Sequence, residues 1–250
     1  MRVYFETNKG VIRENNEDNL IIAETDKYNL YAVADGMGGH KAGEIASTIL
    51  INVVKEYFDK NNGREDFKIP MFINESIKMA NLKIIGEASN KEEYFGMGTT
   101  VTMAVIDLSE NIAYIGNVGD SRTYIIRENE IKQITEDHTY VHELVKEGKI
   151  TLKEAKNHPN RNIITRAIGS EDNINIDIFE IELMENDILL LCSDGLTTHI
   201  SDDEIIDTIK TYGCSESVRK LVELSNYNGG TDNITVIIID NNYRGDTYDR

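Results

Sequence analysis

TVTMAVIDLSENIAYIGNVGDSRTYIIRENEIKQI, residues 100–134, holds four short runs rich in Ile, Val, Tyr and Thr, at 100–107, 112–117, 122–127 and 131–134. Side chains of this kind pack well on a pleated surface, and Gly, Asn, Asp or Glu bound each run, so each is predicted as a strand. The connectors LSEN (108–111) and ENE (128–130) are very short. Strands joined so tightly form hairpins, and hairpins are antiparallel.

Further runs of the same character lie at 2–7, 19–23, 30–34, 176–182, 188–192 and 234–240. Four other stretches have helical spacing. Ile45, Ala46, Ile49, Leu50, Val53, Val54 and Tyr57 repeat at three and four, as do Phe72, Ile73, Ile77, Ala80, Ile84 and Ile85 within 70–88. The last two helices are predicted near 202–212 and 215–226, through Ile205, Ile206 and Ile209, then Val218, Leu221 and Val222. Helix pairs set between groups of antiparallel strands do not make a βαβ repeat. The expectation is an α+β layered architecture, with helices covering the outer faces of packed sheets. Residues 137–165 fit neither period: they are polar, carry both charge signs and sit between strands. One or two short helices are expected there, on an excursion that is either a lid or partner surface or a solvated loop.

The chain has 250 residues, 40% apolar, with two Pro and no Pro/Gly/Ser-rich linker, which reads as one domain over 1–250. A net charge of −18 repels phosphate backbones and disfavours nucleic acid as a partner. Most of that charge serves solubility, yet a minority of the Asp residues could bind cations. Two Cys make no disulfide framework, and Cys192 inside ILLLC reads as a small buried hydrophobe. The start MRVYFETNKG lacks the apolar core of a signal peptide, and no run approaches a membrane span. A soluble cytoplasmic protein without a membrane anchor or sensor domain is expected.

Several Asp residues abut the apolar runs. Asp35 follows LYAVA, Asp120 follows IAYIGNVG, Asp194 follows ILLLCS, and Asp232 precedes ITVIII within GGTDN. RENNEDN adds Arg13, Glu17 and Asp18 ahead of another strand. Any one Asp-Gly is ordinary turn chemistry. Carboxylates converging from several strand ends repel one another unless a cation sits among them, and hard oxygen donors suit Mg²⁺ or Mn²⁺. Asp120 carries a second reading, because strand alternation puts it on the face of Arg122, which could simply neutralise it.

The ordered set RENNEDN, ADGMGGH, GTTV (98–101), GNVGDSR (116–122), TEDHT (135–139), TRAIG (165–169), CSDGL (192–196) and GGTDNITV (229–236) resembles the bacterial branch of the metal-dependent, type 2C Ser/Thr protein phosphatases. The resemblance runs through almost the whole chain in family order. It implies a four-layer α-β-β-α sandwich of two antiparallel sheets flanked by helix pairs. It also implies hydrolysis of phosphoserine and phosphothreonine monoesters by a metal-activated water, with two tightly bound Mn²⁺ or Mg²⁺ ions and a third, weaker one. By the same resemblance Asp35 bridges two metals, the Gly36 carbonyl binds the first, and Asp194 and Asp232 complete the second site. Asp120, with Asp194, matches the third. Arg13 matches the phosphate-binding arginine, while Glu17 and Asp18 match positions that hold metal-bound waters. The implied partners are phosphoproteins, among them a Ser/Thr kinase and its substrates, and the implied state is a monomer. The stretch 137–165 corresponds to the family's flap.

One position departs from the pattern. Animal members carry a His directly after the Asp-Gly, assigned as general acid; here Met37 stands there and His40 comes later. A general acid contributes about 10²–10⁴-fold, against accelerations of up to ~10²¹-fold for phosphate monoesters. His40 is therefore not the main catalytic term, and it is equally readable as a loop His. Rival classes fare worse. A pseudophosphatase is expected to lack metal Asp residues, and the set is complete. A cysteine phosphatase needs Arg six positions after its Cys, but Thr198 and Lys220 stand there. No EF-hand loop is present.

Overall fold

The computed structural model describes residues 1–38 and 42–241. The chain runs through β1 (Arg2–Asn8), β2 (Asn19–Glu24), β3 (Tyr28–Ala34), β4 (Gly36–Met37), α1 (Ala42–Asn61), α2 (Ile69–Asn90), β5 (Gly98–Thr99), β6 (Val101–Asp107), β7 (Ile112–Val118), β8 (Arg122–Arg127) and β9 (Glu130–Gln133). There follow α3 (Tyr140–Lys146), α4 (Leu152–Lys156), β10 (Asp177–Glu182), β11 (Ile188–Cys192), α5 (Asp194–Thr197), α6 (Asp202–Tyr227) and β12 (Ile234–Asp240). One sheet has the order β1-β12-β11-β8-β9 and the other β10-β7-β6-β3-β2. Both are antiparallel throughout.

Period-two burial explains the stacking. In β3, Tyr31 and Val33 join Ala104 and Ile106 against Leu189, Leu191, Ile237 and Ile239 of the other sheet. The alternate residues Leu30, Ala32 and Ala34 turn outward to α1 and α2. On the far side Tyr124, Leu190, Val236 and Ile238 meet Ile205, Ile209, Leu221 and Val222 of α6. Four layers result: helix pair, sheet, sheet, helix. Strands covered on both faces need no polar face, which is why LYAVA, ILLLC and ITVIII read as unbroken apolar runs.

Each covering helix buries a stripe. In α1, Ala46, Leu50, Val54 and Phe58 recur every four residues and are fully buried. Pro70 opens α2, where its missing N–H costs nothing. A capping box of Ser201 and Glu204 starts α6. Gly213, at φ 70°, breaks α6 into two segments, matching the two helices read from sequence. The expected short helices within 137–165 are α3 and α4. The two-residue strands β4 and β5, paired Gly36 to Thr99, were not legible.

Register decides where the site lies. The pairs Asn19 with Ala34, Val33 with Thr102, and Val101 with Val118 align the starts of β2 and β6 with the ends of β3 and β7. In the other sheet Cys192 stands opposite both Val236 and Arg122, and Asn8 opposite Ile234. Residues 18, 35, 120, 194 and 232 therefore lie at or next to strand ends at one edge of the sandwich, and Arg13 comes from the loop between β1 and β2.

Candidate metal centre

Asp18 precedes β2, Asp35 follows β3, Asp120 lies in the turn between β7 and β8, Asp194 opens α5 beyond β11, and Asp232 leads into β12. The five carboxyl groups share one electrostatic environment. Burial raises Asp35 well above the usual carboxylate range, and the charges of Asp18, Asp194, Asp120 and Asp232 raise it further. Burial pushes Asp18 up to about 7 against the restraint of a Ser193 hydrogen bond. Burial, then the charges of Asp194 and Asp137, take Asp120 to about 8. Asp194 reaches about 6, through burial and the Asp232 charge, with a hydrogen bond from Asp35 holding it down. Asp35 and Asp194 keep part of their surface open, although their carboxyl groups are packed round by protein.

Unmet hydrogen bonding points to a cation. Among the described residues, four buried side-chain polar atoms have no partner, and three are Asp18 Oδ1, Asp120 Oδ1 and Asp194 Oδ1. An orphaned buried carboxylate oxygen is costly unless something positive meets it. The donors are all hard oxygens, the chemistry of Mg²⁺ and Mn²⁺. As the side chains stand, no described group of three or more His, Cys, Asp or Glu could hold a metal ion. Two of the carboxylates are engaged elsewhere: Asp232 Oδ2 accepts from Arg13 Nη2 at 2.8 Å, and Asp18 Oδ2 accepts from Ser193 Oγ at 2.7 Å. The donor chemistry and the orphaned oxygens fit a divalent ion.

Gly36 is glycine for want of space. A Cβ there would lie 2.2 Å from the Gly43 carbonyl oxygen and 2.6 Å from that of Glu17. Its N–H donates to the Glu17 carbonyl at 3.2 Å, which ties the Asp35 turn to the loop ahead of β2. The Asp35 backbone is gripped as well, its carbonyl accepting from Thr99 Oγ1 at 2.8 Å and from the Thr100 N–H at 2.9 Å.

Arg13 stands at the mouth of the cluster, half exposed, with its fork on Asp232 and the Thr231 carbonyl. Asp120 is not the partner of Arg122. The Arg122 guanidinium donates to both oxygens of Asp137, at 2.9 and 2.6 Å, and to Tyr124 Oη at 2.9 Å. Asp120 belongs to the turn before β8, so strand alternation does not put it on the Arg122 face. His40 lies outside the described residues.

Sequence reasoning missed Asn233. Its Oδ1 accepts the Glu17 N–H at 2.8 Å, while Nδ2 donates to the carbonyls of Lys9 and Asn15, both at 2.9 Å. One buried amide thus staples the loop bearing Arg13, Glu17 and Asp18 to the entry of β12. Its signal was its place in TDN beside Asp232, but its partners lie more than two hundred residues away.

Residues 12–232 match the family model for protein phosphatase 2C. The serine/threonine phosphatase stp of Listeria welshimeri is 38% identical over 245 residues, spanning 97% of this chain and 96% of that one. The crystal structure of the Mycobacterium tuberculosis serine/threonine phosphatase PstP/Ppp superposes with a TM-score of 0.87 at 35% identity, over 97% of this chain and 99% of that chain. A catalytic domain of PstP in complex with two manganese ions superposes at 0.83, with 33% identity over 96% of this chain and 97% of that one.

Proposed function

The chain belongs to the protein phosphatase 2C family and is a serine/threonine protein phosphatase, and from that premise we propose what its carboxylate cluster does. Asp35 and the Gly36 carbonyl hold a first divalent ion, and Asp35, Asp194 and Asp232 hold a second. Asp120, with Asp194, takes a third and weaker one. The observation that carries this reading is the convergence of five carboxyl groups, three with an orphaned buried oxygen, at one edge of the sandwich.

Bound ions supply a water of lowered pKa and neutralise phosphoryl oxygens. The residues do the rest. Arg13 presents a planar fork suited to two phosphoryl oxygens, and its exposed position leaves it free to leave Asp232 for a substrate. Asp18, fixed by Ser193, accepts hydrogen bonds from water and orients it. The loop that bears both residues is held by the Asn233 amide.

Manganese is the expected ion, with Mg²⁺ as its substitute. The substrates are phosphoproteins, with a Ser/Thr kinase as opposing partner. The protein acts as one monomeric catalytic domain over 1–250 in the cytoplasm, with 137–165 as a flap. No described helix is long and apolar enough to cross a membrane. Purified protein should hydrolyse phosphoserine and phosphothreonine peptides and p-nitrophenyl phosphate with Mn²⁺, and lose that activity on chelation. Activity surviving thorough chelation overturns the metal reading.

A further inference from the structure

The Asp120 turn is gripped from outside by residues 135–138. Thr135 Oγ1 accepts the Thr123 N–H at 3.1 Å, and Asp137 takes the Arg122 guanidinium. His138 holds Gly119 twice. Its N–H donates to the Gly119 carbonyl at 2.9 Å, and its ring Nδ1 accepts the Gly119 N–H, also at 2.9 Å. Gly119 sits at φ 103°, and a Cβ there would strike Thr100 Cγ2 at 2.5 Å, so only glycine fits. A glycine has no conformational preference of its own strong enough to fix that geometry. What holds its peptide therefore sets where the next residue, Asp120, points.

The ring's tautomer follows from its contacts. Nδ1 accepts a backbone N–H, so it carries the lone pair and the proton resides on Nε2. Nε2–H then donates to Asp177 Oδ2 at 3.0 Å, while Arg166 Nη1 donates to Asp177 Oδ1 at 2.8 Å. Arg166 Nη1 also lies 2.9 Å from Nε2. Two donors cannot bond each other, so that approach is packing, and the Arg166 charge disfavours an imidazolium. Burial holds the His138 pKa below its ordinary value, the Asp177 hydrogen bond opposing and Arg166 reinforcing it.

We propose that His138 is the positioning residue of Asp120: its neutral ring, held as the Nε2–H tautomer by Asp177, fixes the Gly119 peptide so that the Asp120 carboxylate stays turned into the acidic cluster. This rests on the reading of Asp120 as a metal ligand. His138 touches no reacting atom and acts through Gly119 alone.

Two substitutions separate its contacts. His138→Asn keeps an acceptor oxygen where Nδ1 stood; His138→Gln keeps a donor toward Asp177 and loses that acceptor. The Gln variant should lose kcat by about 10–100-fold, the usual effect of removing an outer partner of a metal ligand, with KM for p-nitrophenyl phosphate near wild type. Asp120→Ala should show the same split, and His138→Asn should recover most of the turnover. Calorimetric Mn²⁺ titration of the Gln variant should lose the weakest binding step and keep the two tighter ones. In metal-free wild type, nitrogen-15 spectra should show Nδ1 bare, Nε2 protonated and the Gly119 amide shifted downfield. Wild-type turnover in the Gln variant, equal losses in both variants, or a protonated Nδ1 overturns the proposal. If a variant fails to fold, the wild-type ring spectrum decides. Absence of Mn²⁺-dependent hydrolysis in the wild type would sink the functional reading instead, leaving that spectrum to judge the His138–Gly119 contact alone.

Discussion

Arg13 has two claims on its guanidinium, the Asp232 carboxylate it now meets and the phosphoryl group it is proposed to bind. An exposed ion pair contributes only about 0–1 kcal/mol to stability, so Arg13→Ala should leave the fold intact. It should lower kcat/KM on phosphopeptides by roughly 10–100-fold, the worth of hydrogen bonds to a charged group. Wild-type kcat/KM in that variant removes Arg13 from the phosphate site. The acidic cluster makes a second prediction, for chelated protein. Asp18, Asp120 and Asp194 have folded pKa values raised to about 7, 8 and 6, from an ordinary carboxylate value of 3.8. Between 3.8 and those values the folded state binds more protons than the unfolded one, so stability falls as pH rises. Their contribution is fully present below pH ~4 and lost through pH 6–8. The Tm without metal should drop from pH 5 to pH 8, and Mn²⁺ should restore more of it at pH 8 than at pH 5. A Mn²⁺ effect of equal size at both pH values counts against the cluster as the binding place. Each Asp was legible because it borders an apolar run. Their meeting was not, since it depends on strand register.

The loop between β1 and β2 carries Arg13, Glu17 and Asp18, three residues of the proposed site, and has almost no core of its own. Asn233 reaches across from β12 to hold it through three hydrogen bonds. Asn233→Ala strands the Glu17 N–H and two carbonyls, at a cost of about 1–3 kcal/mol for a buried group left unpaired. Tm should fall by a few degrees and KM for p-nitrophenyl phosphate should rise, because Arg13 loses its anchorage. An unchanged KM would reduce Asn233 to a purely structural staple. Strands and helices were readable because burial on two faces leaves a strong apolar signature, as in ILLLC, and because α1 repeats its stripe from Ala46 to Phe58, over about three turns. The pairing of β4 with β5 was hidden, since two residues carry no period. The alternative that paired Asp120 with Arg122 falls for a related cause: the Arg122 partner, Asp137, lies fifteen residues on in another segment, beyond the reach of local spacing.

At the scale of the molecule, a net charge of −18 creates a field that favours cationic substrates, in addition to any local contact. Phosphopeptides flanked by basic residues should therefore show a lower KM at low ionic strength than acidic ones. The difference should shrink near 0.1 M salt, where the screening length falls to about 10 Å. A KM difference indifferent to salt would assign the preference to contacts at the site. The order β1-β12-β11 has a kinetic consequence. Thr7 and Thr235 share a hydrogen bond across 228 residues of chain. Closing so long a loop is entropically costly and slow to search out. During synthesis β1 leaves the ribosome long before its neighbour exists, and Arg13 waits for Asp232 throughout. A growing chain therefore brings its acidic cluster together only after Asp232 and β12 have been made, so a chain broken off before β12 should hydrolyse no phosphopeptide.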